Sequence, residues 1–213
     1  MFNLREHLTR EAVIGLIRDA PSLGVIQFIF LTFLAAMFYP RGFNFFSQYF
    51  SELGATVASS GELNSVSSSL FLVSNVVIGL TLIPFWLRIP SILGDTRGVK
   101  AAGKIGSALG IMSSPFIIGA ALCPFDTKLE MHFRMFFVFF PLFNVASLVY
   151  SIAIILEKRI NEKYGVYGLL LFVISIWVIL NPLASYVCIL QKIILYGYFI
   201  WVLILDRTID RSI

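Results

Sequence analysis

Charge is scarce in this chain. Only 13% of its 213 residues are Asp, Glu, Lys or Arg, where a soluble domain carries about a quarter, so water is not its main solvent. Cysteine occurs twice, at Cys123 and Cys188, with no CxxC pair, which removes zinc-finger spacing and a small disulfide scaffold from consideration. Histidine also occurs only twice, as His7 and His132, too few to build a zinc site from imidazoles. The first twenty residues lack the apolar core and cleavage site of a signal peptide. They set Arg5, Arg10 and Arg18 against Glu6, Glu11 and Asp19, and are expected to stay as a short polar or interfacial helix. No repeat or low-complexity segment stands out, and without inverted repeats or paired broken helices the pattern counts against a transporter.

What the chain has is apolar length. It is 58% hydrophobic with a mean hydropathy of +0.89, gathered into stretches at 21–39, 66–87, 101–123, 131–156, 164–180 and 183–205. Each is close to the roughly 20 residues that a helix needs to cross a bilayer. Backbone amides in hydrocarbon find no water to bond, so helix is the default despite the many Phe, Ile and Val residues. The fold class read from the sequence is an all-α integral membrane protein, a single bundle of six transmembrane helices with residues 1–213 as one membrane domain.

The formal charge of +4 comes from short basic clusters between apolar runs, which set topology and do not suggest a nucleic-acid footprint. Arg5, Arg10, Arg18, Arg88, Arg97, Lys100, Lys104, Lys158, Arg159, Lys163, Arg207 and Arg211 fall on one side. Arg41, Lys128, Arg134 and Lys192 fall on or towards the other. Twelve against four places both termini in the cytoplasm, with the plasma membrane as the expected site. The outward connections are then about 40–65, 124–130 and a tight turn at Asn181-Pro182. Gly106 and Gly110 form a GxxxG in the third span, which lets a neighbouring helix approach closely. Packing inside the bundle is the first reading and a homo- or hetero-oligomer contact the second. Asn75, Asn144, Ser74, Ser113, Ser114 and Ser147 read as interhelical glue.

Chemistry-bearing residues collect on the outward side. Residues 44–53 separate at 100° per residue into an aromatic arc (Phe45, Phe46, Tyr49, Phe50, Leu53) and a polar one (Asn44, Ser47, Gln48, Ser51, Glu52). This predicts a short outward amphipathic helix, with Gly54 as its C-cap glycine. Asp126 and His132 flank the start of the fourth span on the same side. A carboxylate and an imidazole there can hold a divalent metal, relay a proton or join helix ends through hydrogen bonds. Lys192 lies inside the last span, where an ammonium costs about 2.5–3.5 kcal/mol unless partnered; Asp126 and Glu52 are the expected counter-ions. Cys123 and Cys188 share the outward side, and whether they pair is left open.

On Tyr39-Pro40, on Ser51-Glu52-Leu53-Gly54, and on Pro124-Phe125-Asp126 followed by His132, the chain resembles the prokaryotic membrane family catalogued as domain of unknown function 998. The resemblance implies one bundle of about six helices over most of the chain and no particular activity. A fainter similarity, to the ceramidase and progestin-receptor-like superfamily, matches Ser51, Asp126 and His132 to that pattern's serine, aspartate and first histidine. It breaks at the last span, where Gln191 and Lys192 stand in place of HxxxH.

The leading expectation is an outward-facing polar site of Ser51, Glu52, Asp126, His132 and Lys192 that binds a lipid headgroup or other amphiphile, with membrane lipids as partners. The second is a metal-dependent lipid hydrolase with Asp126, His132 and Glu52 as candidate ligands, although no cofactor is evident and no catalytic constellation is complete. The third is a non-catalytic subunit or stabiliser of a larger membrane complex.

Overall fold

The computed structural model describes residues 2–182 and 186–212, with side chains for 11, 14–182 and 186–210. The side chains of Arg5, His7, Arg10 and Arg211, and the expected start of the last span at 183–185, lie outside the described residues. Six long helices follow one another: α1 (Phe2–Met37), α2 (Ser65–Arg88), α3 (Arg97–Ala121), α4 (Leu129–Glu157), α5 (Lys163–Leu180) and α6 (Val187–Ser212). All six are long and apolar enough to cross a membrane, so the chain is an integral multi-pass membrane protein. Two 3-10 helices, Phe50–Gly54 and Ile89–Ile92, lie in the connections.

Two expected elements differ. The polar N-terminal segment is no separate helix. It runs through Pro21 into the first span as one 36-residue helix, about 54 Å long at 1.5 Å per residue and well beyond a hydrocarbon core of about 30 Å. The amphipathic helix expected over 44–53 is replaced by a turn at 45–48 and the Phe50–Gly54 3-10 helix, for a reason that becomes visible in the cap described below.

Each helix packs on the next, and α6 returns to α1, closing a six-membered ring. Aromatic side chains fill it. Trp86, Trp201, Tyr150, Tyr198, Phe28, Phe85 and Phe199 are fully buried. Their rings meet edge-on, Phe28 with Phe199 at 4.6 Å between centroids and Trp86 with Phe143 at 5.4 Å, each such pair adding about 0.5–1.5 kcal/mol beyond its buried area. Rings this large need small opposing residues. Gly106 and Gly110 supply them, facing Tyr150 and Trp86 of the same chain; a Cβ at Gly110 would lie 2.1 Å from the Trp86 ring. The outside is apolar too: Leu23, Ile26, Phe30 and Phe33 make an exposed stripe along α1, which suits lipid as solvent.

The deep polar residues are mostly spent on their own helices. Ser74 and Asn75 bond the Phe71 carbonyl, Ser113 that of Gly110, Asn144 that of Phe140 and Ser147 that of Phe143. Asn144 also links helices, its Oδ1 accepting from the Tyr198 hydroxyl at 2.7 Å. These bonds satisfy groups that hydrocarbon would otherwise leave unpaired.

Candidate functional site, a cap over one end of the bundle

Residues 38–64 fold into a cap over the end of the ring opposite the chain termini. Local sequence starts it. The Asn44 side chain accepts from the Phe46 and Ser47 amides at 2.9 and 3.2 Å, and Asn44 N donates to the Gln48 side chain at 2.6 Å. An Asx turn of this kind takes the donors that a helix would use. Arg41 (φ 62°) and Gly42 (φ 90°) turn the chain out of α1. A short hairpin tip, bridged at Val57 and Leu63, carries it to α2.

α6 then holds the turn down. Lys192 Nζ, buried on that helix, donates to the carbonyls of Phe45 (2.9 Å), Gln48 (2.5 Å) and Cys188 (2.8 Å), and sits 5.3 Å from the centre of the Phe43 ring. Gln191 Oε1 accepts from the Phe50 amide at 3.1 Å. Lys192 therefore bonds backbone carbonyls where Asp126 or Glu52 were expected. An ammonium has three N–H donors, and all three have carbonyl acceptors. The same contacts explain the missing amphipathic helix, because the Phe45 and Gln48 carbonyls and the Phe50 amide face α6 side chains in place of a helical ladder.

Asp126, from the α3–α4 connection, fixes the other flank. Its carboxylate accepts from Thr56 N at 3.0 Å, Thr56 Oγ1 at 2.6 Å and Val57 N at 3.0 Å. Partial burial pulls its pKa up, but the bonds from Thr56 and Val57 outweigh this and hold the carboxyl below its ordinary value. Glu52 stays within the cap, accepting from Tyr49 N at 2.7 Å and the Gln48 amide at 3.2 Å. The Tyr39 hydroxyl accepts from Ser59 N at 3.0 Å. Ser51 is half-buried on the same 3-10 turn. Gly54 ends that turn without the left-handed φ of a C-cap glycine. Its lack of a Cβ serves close packing, since one would lie 2.5 Å from the Phe71 ring.

His132 is buried beneath the cap, its Nδ1 2.9 Å from both the Ala120 and Cys123 carbonyls. As the N–H tautomer at Nδ1 it donates to the exposed carbonyl end of α3 and ties that end to α4. Asp126 and His132 thus have separate partners. Among the described residues no three His, Cys, Asp or Glu side chains gather as a metal-holding group, so Glu52 and Glu130 do not complete a set with them. Cys123 and Cys188 are free thiols.

On the rim of the cap, Arg41 to Phe46 surround an open depression of about 480 Å³. Phe46 is 72% exposed there. The exposed Arg41 donates its Nε to Glu62 at 2.7 Å.

The opposite end carries a cluster built on Arg88, one of the cations that by sequence only set topology. Arg88 of α2 donates to Asp206 at 2.9 Å, to Asp210 and to the Arg18 carbonyl at 2.5 Å. Asp206, fully buried, also accepts from Ser22 at 2.6 Å. The network joins α1, α2 and α6. Its signal in the sequence was an Asp pair four residues apart at the end of the last apolar run.

The profile of a family described as Protein of unknown function (DUF998) matches residues 22–207. No curated protein and no solved structure matches the chain.

Proposed function

From the premise that this chain belongs to the DUF998 family, we propose that it is a non-catalytic, membrane-embedded binding protein whose cap receives an amphiphile in the rim depression between Arg41 and Phe46. The observation that carries this reading is the combination of an exposed guanidinium and an exposed aromatic ring on a segment pinned from below by Lys192. A cation and an aromatic edge at the membrane boundary suit a headgroup and its first methylenes. Prior pinning reduces the ordering cost of binding. Glu52, Asp126, His132 and Lys192 act in this reading as the frame of the cap, with Ser51 on its inner turn. Their side chains are engaged with backbone groups, which favours binding over the hydrolase alternative, since a water-activating metal needs a convergent ligand set. The cap faces outward and both termini face the cytoplasm.

The test is photo-crosslinking in nanodiscs with phosphatidylethanolamine carrying a diazirine on its headgroup, mapped by peptide mass spectrometry. Crosslinks at residues 41–46 should exceed those at the lipid-facing Trp177 of α5 several-fold, and Arg41→Gln with Phe46→Ser should abolish the excess. An even distribution over cap and helices would refute the binding site.

A further inference from the structure

At the terminal end of the bundle, away from the cap, a cleft of about 290 Å³ opens between the Ile89–Ile92 3-10 helix, the start of α3 and the α4–α5 turn. Pro90, Ser91, Gly94, Lys100, Lys104 and Arg159 line it. The cations come from two elements. Lys100 and Lys104 stand one turn apart on α3, on one face. Arg159 comes from the residue after Lys158, which ends α4 in a left-handed conformation (φ 53°). That reversal lets Arg159 donate to the Leu93 carbonyl across the cleft.

Charge in this cleft is not balanced. Lys100 pairs with Asp95 at 3.1 Å. Asp95 is held below the usual carboxylate range by the hydrogen bond and charge of Lys100, with Arg159 adding to the effect. The Glu157 carboxylate, which accepts from Thr96 Oγ1 at 3.3 Å, lies against Gly94, so Lys100, Lys104 and Arg159 face two carboxylates and the cleft keeps one positive charge in excess, beside apolar walls from Pro90, Leu93 and Val99. A phosphate monoester carries about −1.5 to −2 at neutral pH and three acceptor oxygens. Basic pockets between membrane helices are suited to such headgroups.

We propose that this cleft is a binding site for a phosphate monoester, held by Lys104, Arg159 and the Lys100–Asp95 pair. The source is either a phosphatidic-acid-type lipid headgroup or a soluble phosphate ester. The site is separate from the cap, and loss of amphiphile binding at Arg41–Phe46 would leave it standing.

Native mass spectrometry of the full chain released from detergent, with dioleoyl phosphatidic acid or dioleoyl phosphatidylcholine added, reads it directly. One phosphatidic acid should be retained in preference to phosphatidylcholine. The Lys104→Gln/Arg159→Gln double variant should weaken retention at least tenfold, while Arg207→Gln, a cation at the same end outside the cleft, should change it less than twofold. Lys104→Gln alone, on an exposed side chain with no hydrogen bond among the described residues, should weaken it about threefold without disturbing the fold. Displacement by millimolar glycerol 3-phosphate would assign the site to a soluble ester, and persistence of the lipid would assign it to the headgroup. Equal retention by the double variant and wild type, or phosphatidylcholine held as firmly as phosphatidic acid, would overturn the proposal.

Discussion

Lys192 and Asp126 show how single charged side chains act in this molecule. Replacing Lys192 by Met removes a buried cation, which by itself relieves a desolvation cost, but it strands the Phe45 and Gln48 carbonyls. An unsatisfied buried group costs about 1–3 kcal/mol, so the stranding outweighs the relief. Lys192→Met should lower stability by about 1–3 kcal/mol in thermal unfolding of the detergent-solubilised protein. Asp126 is more exposed and its contribution smaller. Asp126→Asn should cost about 1 kcal/mol at neutral pH, after allowance for solvent screening. Because its folded pKa lies below the unfolded value, its stabilisation is fully present above about 3.9 and is lost as pH falls through the folded value. The gap between wild type and Asp126→Asn in a Tm series should therefore close on acidification below pH 4, and a gap independent of pH would count against the bonds to Thr56 and Val57. That Lys192 needed a partner was legible from its depth in an apolar run. That the partner was a set of carbonyls was not, since every residue has a carbonyl and the sequence does not say which will be left free.

The helical elements were readable because the bilayer imposes a length on them, and the six apolar stretches reappear as six helices with shifts of a few residues at most ends. The cap was misread for a specific reason. Its polar and aromatic residues do separate at helical spacing, but Asn44, Gln191 and Lys192 capture the backbone groups that a helix would use. Two of those three are about 145 residues away, where periodicity carries no information. Glycines divide in the same way. Gly54→Ala pushes a Cβ to 2.5 Å from the Phe71 ring and should destabilise by about 1–3 kcal/mol through overpacking. Gly98→Ala, in the first turn of α3 with open space around it, should be neutral or stabilise by up to about 1 kcal/mol. Thermal unfolding of the two variants in parallel checks both signs, and equal effects would contradict the close packing of cap on α2.

At the scale of the whole molecule, the two ends of the ring are closed by different means. The cap end is laced by side chains bonding backbone. The terminal end is clamped by the Arg88 network, which brings α1, α2 and α6 together at Arg18, Ser22, Arg88 and Asp206. Asp206→Ala takes a buried partner from Ser22 and one of three from Arg88, which keeps Asp210 and the Arg18 carbonyl, and should cost about 1–3 kcal/mol, seen as reduced yield of monodisperse protein and a lower Tm. This clamp was hidden because Arg88 sits where a topology-setting cation is expected and Asp206 one residue past the last apolar run. The residues of Tyr39, Glu52, Gly54, Asp126 and His132 on which the family resemblance was read all belong to the cap or the helix ends beneath it. Binding at the rim therefore requires the cap to be a fixed platform.

Hydrogen–deuterium exchange in nanodiscs measures that most directly, comparing wild type with Lys192→Met and Asp126→Asn. Slow exchange is expected at the Phe50, Thr56 and Val57 amides in wild type. Lys192→Met should release 43–50, Asp126→Asn should release 56–57, and α2 to α5 should stay protected in both. Fast exchange across 43–57 in wild type, or unchanged protection in both variants, would contradict a cap fixed in this way.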